Sequence, residues 1–199
     1  AYDYEVGFDG AGRILGLKLD MMANCGFSAD LSGPVADRAA FHVDNASFLE
    51  HVAIRSFRCR THVQSHTAFR GFGGPQGIIA IEAIMDTIAR ETGFDPNELR
   101  RINYYGPETG EVTPYGQPVE DNRLPEVTEA VLANAEWDRR RAEIDAHNAG
   151  NPIIRRGLAM MPIKFGISFN LTALNQAGAL VHVYQDGSVH LNHGGTEMG

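Results

Sequence analysis

The chain has 199 residues, of which 43% are hydrophobic and 21% charged, with a formal net charge of -8. That length is enough to bury a substantial core, and the composition is that of a globular protein. The acidic balance excludes a general nucleic-acid binder, which needs basic side chains against phosphates, and no apolar run is long enough to span a bilayer.

Residues 2–8 and 13–22 alternate apolar and polar positions around "DGAG", the signature of a β-hairpin. Pro34 then opens a short helix with Val35, Ala39 and His42 on helical spacing, predicted to end near Asp44. Residues 51–63 read as a strand with a bulge. From Gln76, Ile78, Ile79, Ile81, Ile84, Met85 and Ile88 make an apolar stripe wide enough for a helix buried on most sides, and Gly93 stops it. Asp95, Pro96 and Glu98 carry the start signals of the next helix. Residues 106–123 read as loop, where the chain could subdivide, and 124–150 as one long or two consecutive helices with a charged second half. Residues 155–168 read as a strand, and 178–195 as a hairpin around "QDGS". Strands and helices mix without regular β-α-β alternation, so the fold class expected is α+β with a mixed sheet packed against helices. Both ends read as cut, which makes residues 1–199 an interior piece of a longer polypeptide.

The "FRGFGG" loop before the long helix draws attention first. Glycines permit positive φ and close backbone approach, the helix N-terminus favours an anion, and Arg70 adds a two-pronged donor. Phe69 and Phe72 flank Arg70 and offer ring faces to a planar ligand. The alternative is a simple turn whose phenylalanines are core. Arg38 stands in a small apolar helix, "PVADRAAFHVDN". Either it is buried and needs oxygen acceptors, or it snorkels to solvent. The pairs His62/His66 and His190/His193 lack the geometry of a protein-ligated metal site on strands. Cys25 and Cys59 read as buried small hydrophobes in a chain without a disulfide framework or a secretory leader pattern, which fits a reducing cytoplasm.

Taken together, "TAFRGFGGPQG", "DRAAFHVDNA", "KFGISF" and "LNQAGALVHVYQDGSVHLNHGGTEMG", in this order, resemble the molybdenum-binding subunit of the xanthine dehydrogenases, within the molybdenum hydroxylase family. The resemblance runs over nearly the whole chain. It implies part of a molybdopterin-binding domain, with a molybdopterin-type molybdenum cofactor held without a direct protein ligand. It places Arg70 beside the molybdenum and its pterin together with Gly71, and Met198 and Gly199 against the cofactor through backbone. It places Phe72 on the face of a purine substrate, Phe169 edge-on to it, and Arg38 on a purine oxygen as the catalytic cation. Asn170 stands where the family usually carries threonine. The activity implied is hydroxylation of xanthine or hypoxanthine, with electrons passed to 2Fe-2S clusters, FAD and NAD. Those groups lie outside this segment, on a partner subunit or domain, as does the family's general-base glutamate. The segment alone is therefore expected to be inactive. The alternatives are an aldehyde-oxidising relative, whose substrate lacks the oxygen Arg38 would serve, and a scaffold that binds no cofactor.

Overall fold

In a computed structural model the described residues are 1–169 and 171–196, and they divide into two compact units, 1–165 and 166–199. In the first unit, β1 (Tyr2–Phe8), β2 (Ile14–Gly26) and β3 (Val52–Arg60) form a sheet in that order. β1 runs antiparallel to β2, and β3 runs parallel to it, so the sheet is mixed as expected for this α+β class. The Asp9 carboxylate closes the β1–β2 turn by accepting from Ala11 N and Arg13 N, both at 2.9 Å. A register irregularity near Gly26 lies opposite Cys59 and Arg60, where β3 begins to leave the ladder.

Helix α1 (Ser32–Ala40) links β2 to β3, and α2 (Gly74–Thr92) follows the glycine loop. α1 stops four residues short of Asp44, and the chain goes on to β3 in turns. The inward faces of β2 (Leu17, Leu19, Met21) and α2 (Ile81, Ile84, Met85, Ile88) form the core, joined by Ala39, Val43 and Leu99. α2 is buried on most sides, as expected, with ten of its 19 residues buried and one face open. Gln76, Ile79, Ala83, Asp86 and Arg90 make an exposed stripe at helical spacing, and Ile79 is 60% exposed. Gly93 ends the helix in the left-handed conformation with φ 81°. At α3 (Pro96–Ile102) the Asp95 carboxylate accepts from Asn97 N and Glu98 N, the cap its sequence signals. α4 (Leu124–Asn134) and α5 (Trp137–Gly150) are separate helices, and α5 buries none of its residues.

Residues 155–168 are not a strand. Their backbone is held by side chains instead: Asn45 accepts from Lys164 N at 3.0 Å and donates to Pro162 O at 2.9 Å. The second unit carries a 3-10 turn at Thr172–Leu174 and the hairpin β4 (Ala179–Val183) and β5 (Val189–His193). Asp186 closes the hairpin turn by accepting from Ser188 N, with Gly187 at φ 82°. No helix among the described residues is long and apolar enough to cross a membrane.

Candidate functional site

The glycine loop sits directly on helix α1. Consecutive residues Gly71, Phe72 and Gly73 have positive φ of 93°, 48° and 97°, which winds the chain into the N-terminus of α2. A Cβ on Gly73 would lie 2.0 Å from Val35 O, and one on Gly77 would lie 2.1 Å from Ala39 O. The glycines are therefore demanded by the close approach of loop and α2 to the backbone of α1. Of the loop glycines expected to admit a ligand to the backbone, Gly73 faces α1, Gly71 the Pro75 ring and Gly74 the Phe165 ring. Phe72 is not a glycine and still adopts a left-handed φ, a local cost of the kind that concentrates at functional sites. Its ring is half-buried, while Phe69 is 81% exposed and Arg70 is exposed.

Arg38, on the helix that this loop covers, is buried, with 4% of its surface exposed. The sequence left burial and snorkelling open, and burial is the outcome. Its guanidinium carbon lies 4.9 Å from the centroid of the Phe165 ring. Burial pushes its pKa below the ordinary arginine value, although a guanidinium remains charged throughout the working range. One turn on, His42 Nδ1 lies 2.8 Å from Arg38 O, and its ring lies 5.1 Å from that of Phe165. Burial, the largest influence, holds the His42 pKa below 6.5, against the opposing pull of its backbone hydrogen bond. Phe165 was not singled out from sequence. Four residues before Phe169 in "KFGISF", it is half of a pair of aromatics that only the path of the chain distinguishes.

Phe169 belongs to the second unit, where Asn175 accepts from its N–H at 2.8 Å and donates to its carbonyl at 3.1 Å. It does not extend from a strand end. Asn170, Met198 and Gly199 lie outside the described residues. The first unit thus carries Arg38 on α1, and Arg70, Gly71 and Phe72 on a loop whose Gly73 packs against the backbone of α1. Cys25 is buried as expected, but Cys59 is exposed, because the end of β3 loses its cover on both faces. No group of three or more His, Cys, Asp or Glu among the described residues is placed to hold a metal ion.

Two molybdopterin cofactor-binding domain families match this chain, one over residues 1–104 and the other over 130–199. The chain belongs to the molybdopterin cofactor-binding domains. The first match contains β1 to α3, hence Arg38 and the whole glycine loop; the second contains Phe169 and the β4–β5 hairpin. The chain is 46% identical over 196 residues to xanthine dehydrogenase/oxidase from Gallus gallus, covering 98% of this chain and 14% of that protein. It is 44% identical over 198 residues to nicotinate hydroxylase from Emericella nidulans, again covering 98% of this chain and 14% of the relative. Its fold is also that of aldehyde oxidoreductase from Desulfovibrio desulfuricans, with a TM-score of 0.64 at 22% identity over 96% of this chain and 20% of that one. The chain therefore spans about one seventh of the length of the relatives it matches.

The donor chemistry of the loop fits the cofactor that names these domains. An arginine stands at the entrance of a 19-residue helix whose N-terminal dipole favours an anion, and a pterin cofactor bearing phosphate is anionic.

Proposed function

We propose that the chain is part of the molybdenum subunit of a xanthine dehydrogenase, acting on a purine as substrate. The observation that carries this reading is the seating of the Arg70 and Phe72 loop on the helix that buries Arg38. An anion-binding element and a desolvated cation thereby share one small region.

In this proposal Arg70 and Gly71 hold the molybdopterin cofactor from the loop, with Met198 and Gly199 adding backbone contacts. When bound, the cofactor supplies two-electron oxidation at a carbon of the heterocycle. The chain's own residues bind and orient the substrate. Phe72 stacks on the purine face and Phe169 contacts it edge-on, with Asn170 beside it. Two rigid rings orient a flat molecule at little cost in side-chain entropy. Arg38 donates to a purine oxygen and stabilises the negative charge that grows there as the ring is attacked. Such a donor is worth more in a dry site than in water, because the competing solvent is gone. The partners proposed are a subunit or domain carrying 2Fe-2S clusters and FAD, with NAD as the final acceptor. The compartment proposed is the cytoplasm, in keeping with two free cysteines.

The similarity to nicotinate hydroxylase supports a second reading, in which Arg38 takes a carboxylate on a pyridine ring. The test is steady-state turnover by the full-length parent, with its molybdenum content measured. Xanthine turnover with NAD, exceeding that of nicotinate, is expected. Preference for nicotinate selects the second reading, and a parent without molybdenum or turnover contradicts both. The 199-residue chain alone is expected to show no turnover, because catalytic groups that act as a unit fail together when some are missing.

A further inference from the structure

Phe165 sits where three parts of the first unit meet. Its ring lies under the Arg38 guanidinium at 4.9 Å and beside the His42 ring at 5.1 Å, tilted by 51°. Its third neighbour is the first residue of α2. A Cβ on Gly74 would lie 2.2 Å from Phe165 Cε2, so the ring occupies space that only glycine leaves open. The same aromatic ring therefore touches the helix carrying Arg38 and the end of the loop carrying Phe72.

The segment that delivers this ring is fixed by one residue. Asn45 is completely buried and has a left-handed φ of 46°. Its side-chain oxygen accepts from Lys164 N, and its side-chain nitrogen donates to Pro162 O, so both neighbours of Ile163 are tied to one amide. That nitrogen also donates to Glu82 Oε1 at 2.9 Å. Glu82 is in turn held by Arg100, whose Nε donates to Oε2 at 2.7 Å. The backbone before Phe165 is anchored to α2 and α3, not to a neighbouring strand.

We infer that Phe165 is a positioning residue for Arg38: its ring sets the plane of the guanidinium and so directs the guanidinium N–H groups toward an oxygen on the bound heterocycle. The inference rests on the proposed role of Arg38. Arginine has a long side chain with several torsions, and burial alone does not choose among them. A ring under the guanidinium does, because the cation is attracted to the ring face and its N–H groups lie in the plane, free of the ring. Asn45 acts one step further back, by fixing where the ring is delivered. A ring that only filled space would be replaceable by an aliphatic side chain. A positioning ring is replaceable only by another aromatic one.

The test uses the full-length holoenzyme held reduced, so that neither ligand is hydroxylated, and measures Kd for xanthine and for unsubstituted purine. Phe165→Leu should weaken xanthine about tenfold and leave purine within about twofold, since a desolvated cation–π contact is worth about that factor. Phe165→Tyr should restore xanthine binding. Gly74→Ala pushes a Cβ into the ring, so it should weaken xanthine in the wild-type background and add little to Phe165→Leu. Should Phe165→Leu not fold, Phe165→Met carries the same comparison. Equal weakening of both ligands by the aliphatic variants, or no rescue by tyrosine, overturns the inference. Arg38→Met in the same assay separates the two claims. If it discriminates between xanthine and purine while Phe165→Leu does not, the inference alone fails. If Arg38→Met weakens both ligands equally, the role of Arg38 fails and the inference falls with it.

Discussion

Arg38 and Arg100 are both buried arginines, 4% and 6% exposed, and their surroundings differ in kind. Arg100 is enclosed by fixed acceptors: Glu82 at 2.7 Å, Asp86 at 2.8 Å and Pro96 O at 3.1 Å. Burial alone would lower its pKa, but the two carboxylates outweigh that and raise it. At Arg38 the balance runs the other way: burial lowers the pKa, and the group beneath the guanidinium is an aromatic face. A cation matched by fixed carboxylates holds helices together. On the proposed reading, a buried cation resting on a ring, near a loop that carries an exposed arginine and a phenylalanine with left-handed backbone, serves a ligand instead.

The largest expected effect attacks the structural half of this comparison. Glu82→Ala leaves Arg100 and Asn45 each short of a buried acceptor, and breaking a buried ion pair from one side costs about 3–5 kcal/mol. Thermal unfolding of the chain should show a collapsed midpoint; a shift no larger than that of a surface variant would mean the Glu82–Arg100 pair carries little.

Phe72→Ala probes the functional half with a smaller effect. The ring is half-buried, so its removal should leave the thermal midpoint nearly unchanged, far from the roughly 3–5 kcal/mol of a true core truncation. In the full-length parent it should weaken purine binding by about tenfold at most, the scale of one aromatic stacking contact. A lowered midpoint with normal binding would return Phe72 to the core.

The smallest effect is one of pH. The folded-state pKa of His42 lies below its ordinary 6.5, so the unfolded chain takes up its proton first as the solution is acidified. The stabilising contribution of neutral His42 is present above that value. It is lost as pH falls from there through the folded pKa, at no more than about 1.4 kcal/mol per pH unit. Unfolding midpoints followed downward from neutral pH should fall less steeply for His42→Gln than for the native chain. Parallel slopes would show that His42 is not held neutral by the fold.

Much of the first unit was legible in sequence because its signals are local. Asp95 and Gly93 terminate helices by contacts within a few residues, and the alternation of Leu17, Leu19 and Met21 states which face of β2 meets the core. Residues 155–168 misled for the opposite reason. A strand-like stretch reports an extended backbone but not what bonds to it, and here the partner of Lys164 N is the side chain of Asn45, 119 residues away. Phe165 was hidden by the same distance. The glycine loop is legible from its composition, yet Gly73 answers to the backbone of α1 and Gly74 to the ring of Phe165, constraints that no short motif displays. Cys59 was misjudged because burial of a strand residue depends on whether its sheet is covered at that point.

The most direct test of the comparison sets Arg38→Met beside Arg100→Met in the full-length parent, with kcat/KM for xanthine and for an aldehyde, and the thermal midpoint, measured for each. Losing one charged donor to developing charge costs about 3 kcal/mol, or roughly a hundredfold. Arg38→Met should therefore lose about a hundredfold on xanthine and much less on the aldehyde, with a near-native midpoint. Arg100→Met should lower the midpoint and leave the xanthine-to-aldehyde ratio of the folded enzyme unchanged. Equal losses on both substrates for Arg38→Met would contradict the account and make Arg38 a second structural arginine.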